Sequence, residues 1–129
     1  MKKTGAAIFF DISRPSYDPE KAFNYLGSTF NSQVWNFLRG LFVIRSSLLP
    51  KQIHKKLEET EDRYIVFKVD PSALDGKLPE RAWDSWFVDV FWDDVDGLCS
   101  DLDWPKDALE RRREDYLKRA KDLVNVPQS

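Results

Sequence analysis

The chain has 129 residues, of which 42% are hydrophobic, 14% aromatic and 33% charged. That composition suits one globular domain, since two halves would each be too small to bury a good core. A net charge of −2 lacks the dominant basic excess of a dedicated nucleic-acid binder, while single Cys99 and His54 exclude an intramolecular disulfide and a four-ligand Cys/His zinc site.

The basic start Met1-Lys2-Lys3 and the apolar run from Ala6 to Phe10 suggest a signal peptide only superficially. Asp11 interrupts the run before it reaches the length of an h-region, and no apolar stretch approaches the roughly 20 residues of a membrane span. A lone cysteine suits a reducing compartment, so the expectation is a cytoplasmic protein without membrane association. Charge is unevenly spread. Residues 1–68 carry a net +4, residues 69–105 a net −8 and residues 106–129 a net +2, so different faces are expected to meet different partners.

In chain order, Ala6-Ala7-Ile8-Phe9-Phe10-Asp11-Ile12 reads as a strand buried on both faces, closed by Ser13-Arg14-Pro15. Asp18-Pro19-Glu20 has the form of a helix start, with a capping Asp, Pro in the first position and an acid in the first turn. Phe23, Leu26 and Phe30 follow at helical spacing, weakened by Gly27. Val34 to Leu38 and Leu41 to Arg45, separated by Arg39-Gly40, read as an antiparallel hairpin. Ser47 is the expected cap of a second helix with Pro50 in its first turn and a stripe of Leu49, Ile53 and Leu57. Tyr64 to Val69 alternates as a strand.

The order is β-α-β-β-α-β over residues 6–69, which predicts an α+β fold with a ferredoxin-like core and both helices on one face of an antiparallel sheet. Residues 1–70 form that core and residues 71–129 a tryptophan-rich, acidic extension within the same domain. Pro79 to Trp92 is ambiguous: Trp83, Trp86, Phe87, Val90 and Phe91 have helical spacing, whereas Trp86, Val88, Val90 and Trp92 alternate. The helix is favoured, packed on the open sheet face or at a subunit contact. Asp93 to Asp103 reads as an acidic loop. Lys106 to Val124 reads as an amphipathic helix started by Pro105, with Leu109, Tyr116, Leu117, Ala120, Leu123 and Val124 on one side, and Pro127 lies in a short tail.

Phe9-Phe10-Asp11-Ile12, Trp35, Leu41 to Ser46, Ile53 to Leu57 and Tyr64 to Val69 together resemble the CRISPR-associated protein 2 family and its short SinR-like relatives. The resemblance covers Ile8 to Val69. It implies a homodimer in which Asp11, at the end of the first strand, faces its counterpart and holds Mg²⁺ for phosphodiester hydrolysis. Mg²⁺ accepts one or two carboxylates with water and substrate phosphate as its other ligands, so the chemistry is coherent. The plainer reading of Asp11 is a turn cap acting through Ser13.

Arg14, Arg39, Arg45, Lys51, Lys55 and Lys56 form a basic set able to follow an RNA or DNA backbone without reading sequence; the lysines read equally as an ordinary solvated helix face. Asp94, Asp96, Gly97, Asp101 and Asp103 evoke a calcium loop, but Trp92 falls where the first carboxylate is needed. His54 is placed on the exposed side of the second helix. Trp83, Trp86, Trp92 and Trp104 suit core or contact roles better than base stacking. Two functions follow: a CRISPR-associated protein 2-like nucleic-acid-binding homodimer with nuclease chemistry at Asp11, or a non-catalytic interaction module for a bacterial or phage defence system. The second would use residues 84–103, with Asp93, Asp94, Asp96, Trp86 and Trp92 meeting a protein partner.

Overall fold

A computed structural model gives the fold; it describes residues 2–71, 73–103 and 105–124, with the side chains of residues 102 and 120–124 outside the description. Strands β1 (Thr4–Phe10), β2 (Val34–Leu38), β3 (Leu41–Ser46) and β4 (Tyr64–Val69) form one antiparallel sheet in the order β2-β3-β1-β4. Helix α1 (Pro19–Phe30) links β1 to β2 and helix α2 (Pro50–Leu57) links β3 to β4. The element order read from the sequence is the observed one, and the protein is α+β.

Local chemistry sets the boundaries. Asp18 caps α1 by accepting from the backbone N–H groups of Glu20 and Lys21 at 3.0 and 3.2 Å, with Pro19 in the first turn. Arg39-Gly40 turns the hairpin, Gly40 taking φ +85°, a conformation that costs a residue with a Cβ. The expected cap at Ser47 is displaced. Helix α2 begins after Leu49, whose N–H donates to the Gln52 side chain at 2.8 Å. Glutamine reaching back from the third helical position satisfies a donor that a serine two residues earlier would not.

Alternation along the strands makes two cores. Ala6, Ile8, Phe10, Phe42 and Ile44 point to the side where Leu26 of α1 and Ile53 and Leu57 of α2 pack. Ala7, Trp35 and Val43 point to the other side. There the extension supplies the cover: α3 (Glu80–Ser85), a π-helical turn (Trp86–Val90), a 3₁₀ turn (Trp92–Asp94) and α4 (Val95–Leu102). Ala82, Trp86, Val90, Phe91 and Leu98 complete this second core, and the Trp35 indole N–H donates to the Ala82 carbonyl at 2.8 Å. Residues 80–90 are therefore helical, and after a bend at Phe91 the 3₁₀ turn follows, all on the sheet's second face. The acidic loop expected over Asp93 to Asp103 is instead the 3₁₀ turn followed by α4: a helix buries Val95 and Leu98 at a spacing a loop could not hold.

Helix α5 (Lys106–Val124) is present as expected, beginning at Pro105, whose carbonyl accepts from the Leu109 N–H. Of its apolar side, Leu109 and Tyr116 are half-buried and Leu117 is exposed. The side chains of Ala120, Leu123 and Val124, and the tail at Pro127, lie outside the description. The stripe expected on α2 is also shorter than read, for Ile53 and Leu57 are buried while Leu49 is 62% exposed.

Sheet and extension approach so closely at Gly5 that an added Cβ would overlap Cζ and Cε1 of Phe91. A Cβ at Gly97 in α4 would meet nothing within 4 Å. Gly5→Ala is expected to lower unfolding stability by about 1–3 kcal/mol through overpacking, whereas Gly97→Ala is expected to raise it by up to about 1 kcal/mol by helix propensity. Urea denaturation of the two variants beside the parent chain checks both signs.

Candidate nucleic-acid interface

One end of the sheet gathers the residues singled out around Asp11. Strand β1 ends at Phe10, whose N–H donates to the Gly40 carbonyl of the hairpin turn at 2.8 Å. The next residue, Asp11, donates its N–H to the Arg63 carbonyl just before β4, also at 2.8 Å. Backbone pairing thus fixes Asp11, the Arg39-Gly40 turn and Arg63 at a common edge. Arg14 joins them by donating to the Glu61 carbonyl at 3.3 Å.

Asp11 lies one residue beyond the strand and is partly exposed, with Phe9 and Ile12 themselves exposed beside it. The apolar burial expected around its carboxylate is absent, because Phe9 points to a part of the sheet face that the extension leaves bare. The Asp11 Oδ1 accepts from the Ser13 hydroxyl at 2.6 Å and the Ser13 N–H at 3.0 Å, the turn-capping arrangement. Those Ser13 bonds, with the charges of Arg63 and Arg14, hold its carboxyl below the usual 3.8. Hydrogen bonds and cations both favour the ionised form, so Asp11 is an anion at neutral pH and not a proton donor.

Among the described residues no group of three His, Cys, Asp or Glu side chains could hold a metal ion, and the groups charging the site around Asp11 are guanidiniums. Mg²⁺ seeks oxygen ligands; this donor set fits a phosphate better. Asp94 closes the 3₁₀ turn, Asp96 and Asp101 lie in α4 and Asp103 caps its end, so helix stands where a calcium site would need an encircling loop.

The other basic residues divide. Arg39, Lys51, Lys55 and Lys56 are exposed. Arg45 is not available to a phosphate. Its Nη1 donates to Asp94 Oδ2 and to the Val90 carbonyl, each at 2.8 Å, its Nη2 to the Lys3 carbonyl at 2.7 Å and its Nε to Asp93 Oδ2 at 3.2 Å. Arg63 belongs to the site and was passed over in the sequence, where it sits between two acids and the strand and gives no signal until the strand pairing brings it beside Asp11.

The acidic segment is largely neutralised from within. Asp93 and Asp94 meet Arg45, Asp94 also meets Lys2 at 3.6 Å, Asp96 meets Lys106 at 2.6 Å and Asp84 meets Arg112 at 2.5 Å. Asp89 accepts from Ser85 and Tyr116. Trp86 is buried against Trp35 and Phe91 and so presents little surface to a partner. Trp92 lies under the Arg113 guanidinium, 4.6 Å from the ring centroid, a cation–π contact. Trp104 lies outside the described residues. His54 is exposed, as expected, with its Nδ1 2.7 Å from the Tyr64 hydroxyl, and Cys99 is a half-buried free thiol.

No protein-family model matches the chain, and neither the curated proteins nor the solved structures contain a match.

Two outcomes follow from this geometry. Arg45→Met leaves the mostly buried Asp94 without its main partner, and breaking such a pair is expected to cost about 3–5 kcal/mol, readable as a fall in the urea midpoint. Asp11 is expected to titrate below 3.8 by NMR, and Ser13→Ala to bring its midpoint back up. Because the folded value is the lower one, the associated stability is present above pH 3.8 and is lost as pH falls through the folded midpoint. Asp11→Asn should remove that acid-side dependence.

Proposed function

We propose that this chain is a ferredoxin-like nucleic-acid-binding protein of the CRISPR-associated protein 2 type, acting as a homodimer that grips the sugar–phosphate backbone. The observation that carries the reading is the gathering of Arg14, Arg39 and Arg63 at the sheet end marked by Asp11. Guanidiniums present fixed forks of donors that match phosphate oxygens, and contacts of this kind bind without selecting sequence. Lys51 and Lys55 are exposed on α2 and would add further phosphate contacts.

The strand order β2-β3-β1-β4 with helical crossovers supports the ferredoxin-like assignment. The homodimer is supported by apolar surface beside the same end. Phe9 is 46%, Ile65 63% and Phe67 42% exposed, and strand register sets Phe9 opposite Ile65 and Ala7 opposite Phe67, so all three share one face of the sheet. Contiguous exposed aromatic and aliphatic groups mark an interaction surface. Hydrolysis through Mg²⁺ would need the Asp11 of a second copy beside this one.

Anisotropy with labelled single- and double-stranded RNA and DNA tests the reading. The parent chain is expected to bind with an affinity that falls steeply with salt. The triple variant Arg14→Glu, Arg39→Glu, Arg63→Glu is expected to bind at least about tenfold more weakly, with a shallower salt slope. Unaltered binding by that variant, or no binding even at low salt, would sink the proposal. Metal-dependent cleavage lost in Asp11→Asn would add catalysis to it.

A further inference from the structure

The sheet has two edge strands, β2 and β4, and an open edge presents unpaired N–H and C=O groups to any extended chain. The two edges are finished differently. On β2 the register breaks between Trp35 and Leu38, and the Asn36 side-chain amide donates to the Leu38 and Leu41 carbonyls at 3.1 and 2.9 Å. A break of this kind blunts an edge. Strand β4 has no such device. Tyr64-Ile65-Val66-Phe67-Lys68-Val69 contains no Pro or Gly and keeps an unbroken register with β1. Lys68, the one charge on the strand, turns its Nζ back to the Ser46 carbonyl at 3.2 Å and so does not guard the edge.

Register fixes which backbone groups face outward. The Asp11 N–H donates to the Arg63 carbonyl, and Phe9, Ala7 and Gly5 stand opposite Ile65, Phe67 and Val69. In an antiparallel ladder alternate residues direct both backbone groups to the same neighbour. Residues 63, 65, 67 and 69 therefore bond β1, and Tyr64, Val66 and Lys68 turn theirs outward. None of these outward groups has a partner among the described residues.

The sequence of β4 complements itself about Val66. When two β4 strands pair antiparallel, outward residues must meet outward residues, and only the register centred on Val66 uses every outward N–H and C=O. It sets Val66 opposite its own copy and Tyr64 opposite Lys68, so no two like charges meet. On the second face it sets Ile65 opposite Phe67. Those side chains are 63% and 42% exposed in the single chain, and an aromatic beside a β-branched residue is a favourable cross-strand pair.

We infer that the β4 edge is where a second copy of this chain adds, antiparallel about Val66, to give one sheet continuous through both copies. This contact rests on the homodimer part of the reading above and is independent of backbone binding. It separates the two Asp11 carboxylates. Asp11 pairs with Arg63, three residues from the dyad at Val66, so at about 3.4 Å per residue the two copies of that pair lie about 20 Å apart along the strands. One Mg²⁺, with ligands at about 2 Å, does not bridge that gap.

Residue-resolved hydrogen exchange by NMR, with analytical ultracentrifugation over the same concentration series, tests the contact. As the parent chain dimerises, the amides of Tyr64, Val66 and Lys68 are expected to gain at least about tenfold protection, since paired amides must open to exchange. Lys68→Pro removes an outward donor from each copy, and proline is tolerated where the N–H of an edge strand faces solvent. It should weaken dimerisation at least about tenfold, whereas Lys68→Ala keeps the donor and should dimerise nearly as the parent does. Should the proline variant fail to fold, exchange on the parent chain still gives the answer. A dimer whose three edge amides exchange as fast as in the monomer overturns the edge pairing and leaves the homodimer standing on another surface. A chain that stays monomeric throughout overturns the pairing and the homodimer together and frees the edge for a strand of another protein, with nucleic-acid binding still judged by anisotropy.

Discussion

A four-stranded sheet has two faces, and the β-α-β-β-α-β connections place helices on only one of them. Burial of the other face is the constraint on which the rest of this molecule depends. Ala7, Trp35 and Val43 point there, and left in water they would forgo roughly 1.5–3 kcal/mol for each large side chain. The extension covers them, and it gets close because β1 carries Gly5 and Ala7 where it passes beneath Phe91. Small residues on the strand and large rings on the cover interlock at the density that interiors require.

Electrostatics fix the position of that cover. The net −8 of residues 69–105 and the net +4 of residues 1–68 are complementary parts of one structure before they are surfaces for anything else. Arg45 on β3 binds the Val90 carbonyl, Asp93 and Asp94, joining sheet and extension with three donor contacts, and its fourth goes to the Lys3 carbonyl. Arg112 repeats the device between α5 and α3 through Asp84. Paired charges satisfied by hydrogen bonds can be buried, whereas either partner alone would be costly. The acidic segment therefore has less unpaired charge to offer a partner than its composition suggests.

The extension stops short of covering the whole second face, and this incompleteness connects architecture to function. Phe9, Ile65 and Phe67 remain exposed at the sheet end where Asp11 and the arginines collect. An apolar surface adjoining a set of guanidiniums is the surface that the proposed backbone-binding homodimer would use. That exposed patch arises where packing of the sheet is left unfinished.

The sequence by itself determined the element order and most element boundaries, because these rest on local physics. The cap at Asp18 with Pro19, the Arg39-Gly40 turn, the apolar run of β1 and the alternation in β4 are decided within a few residues. It also marked Asp11, Arg14 and Arg39. Tertiary structure decided what each charge and ring does. Helical spacing favoured a helix around Trp86, but only the sheet face selected it over an alternating strand and turned the expected acidic loop into α4. Arg45 and Lys51 look alike in sequence; one is consumed by Asp93 and Asp94 and the other is free in solvent. Arg63 enters the site solely through pairing with Asp11 across strands. Partners separated by about 50 residues, as Arg45 and Asp94 are, leave no periodic trace in the chain, since long-range pairing depends on how two faces dock and not on local conformational preference.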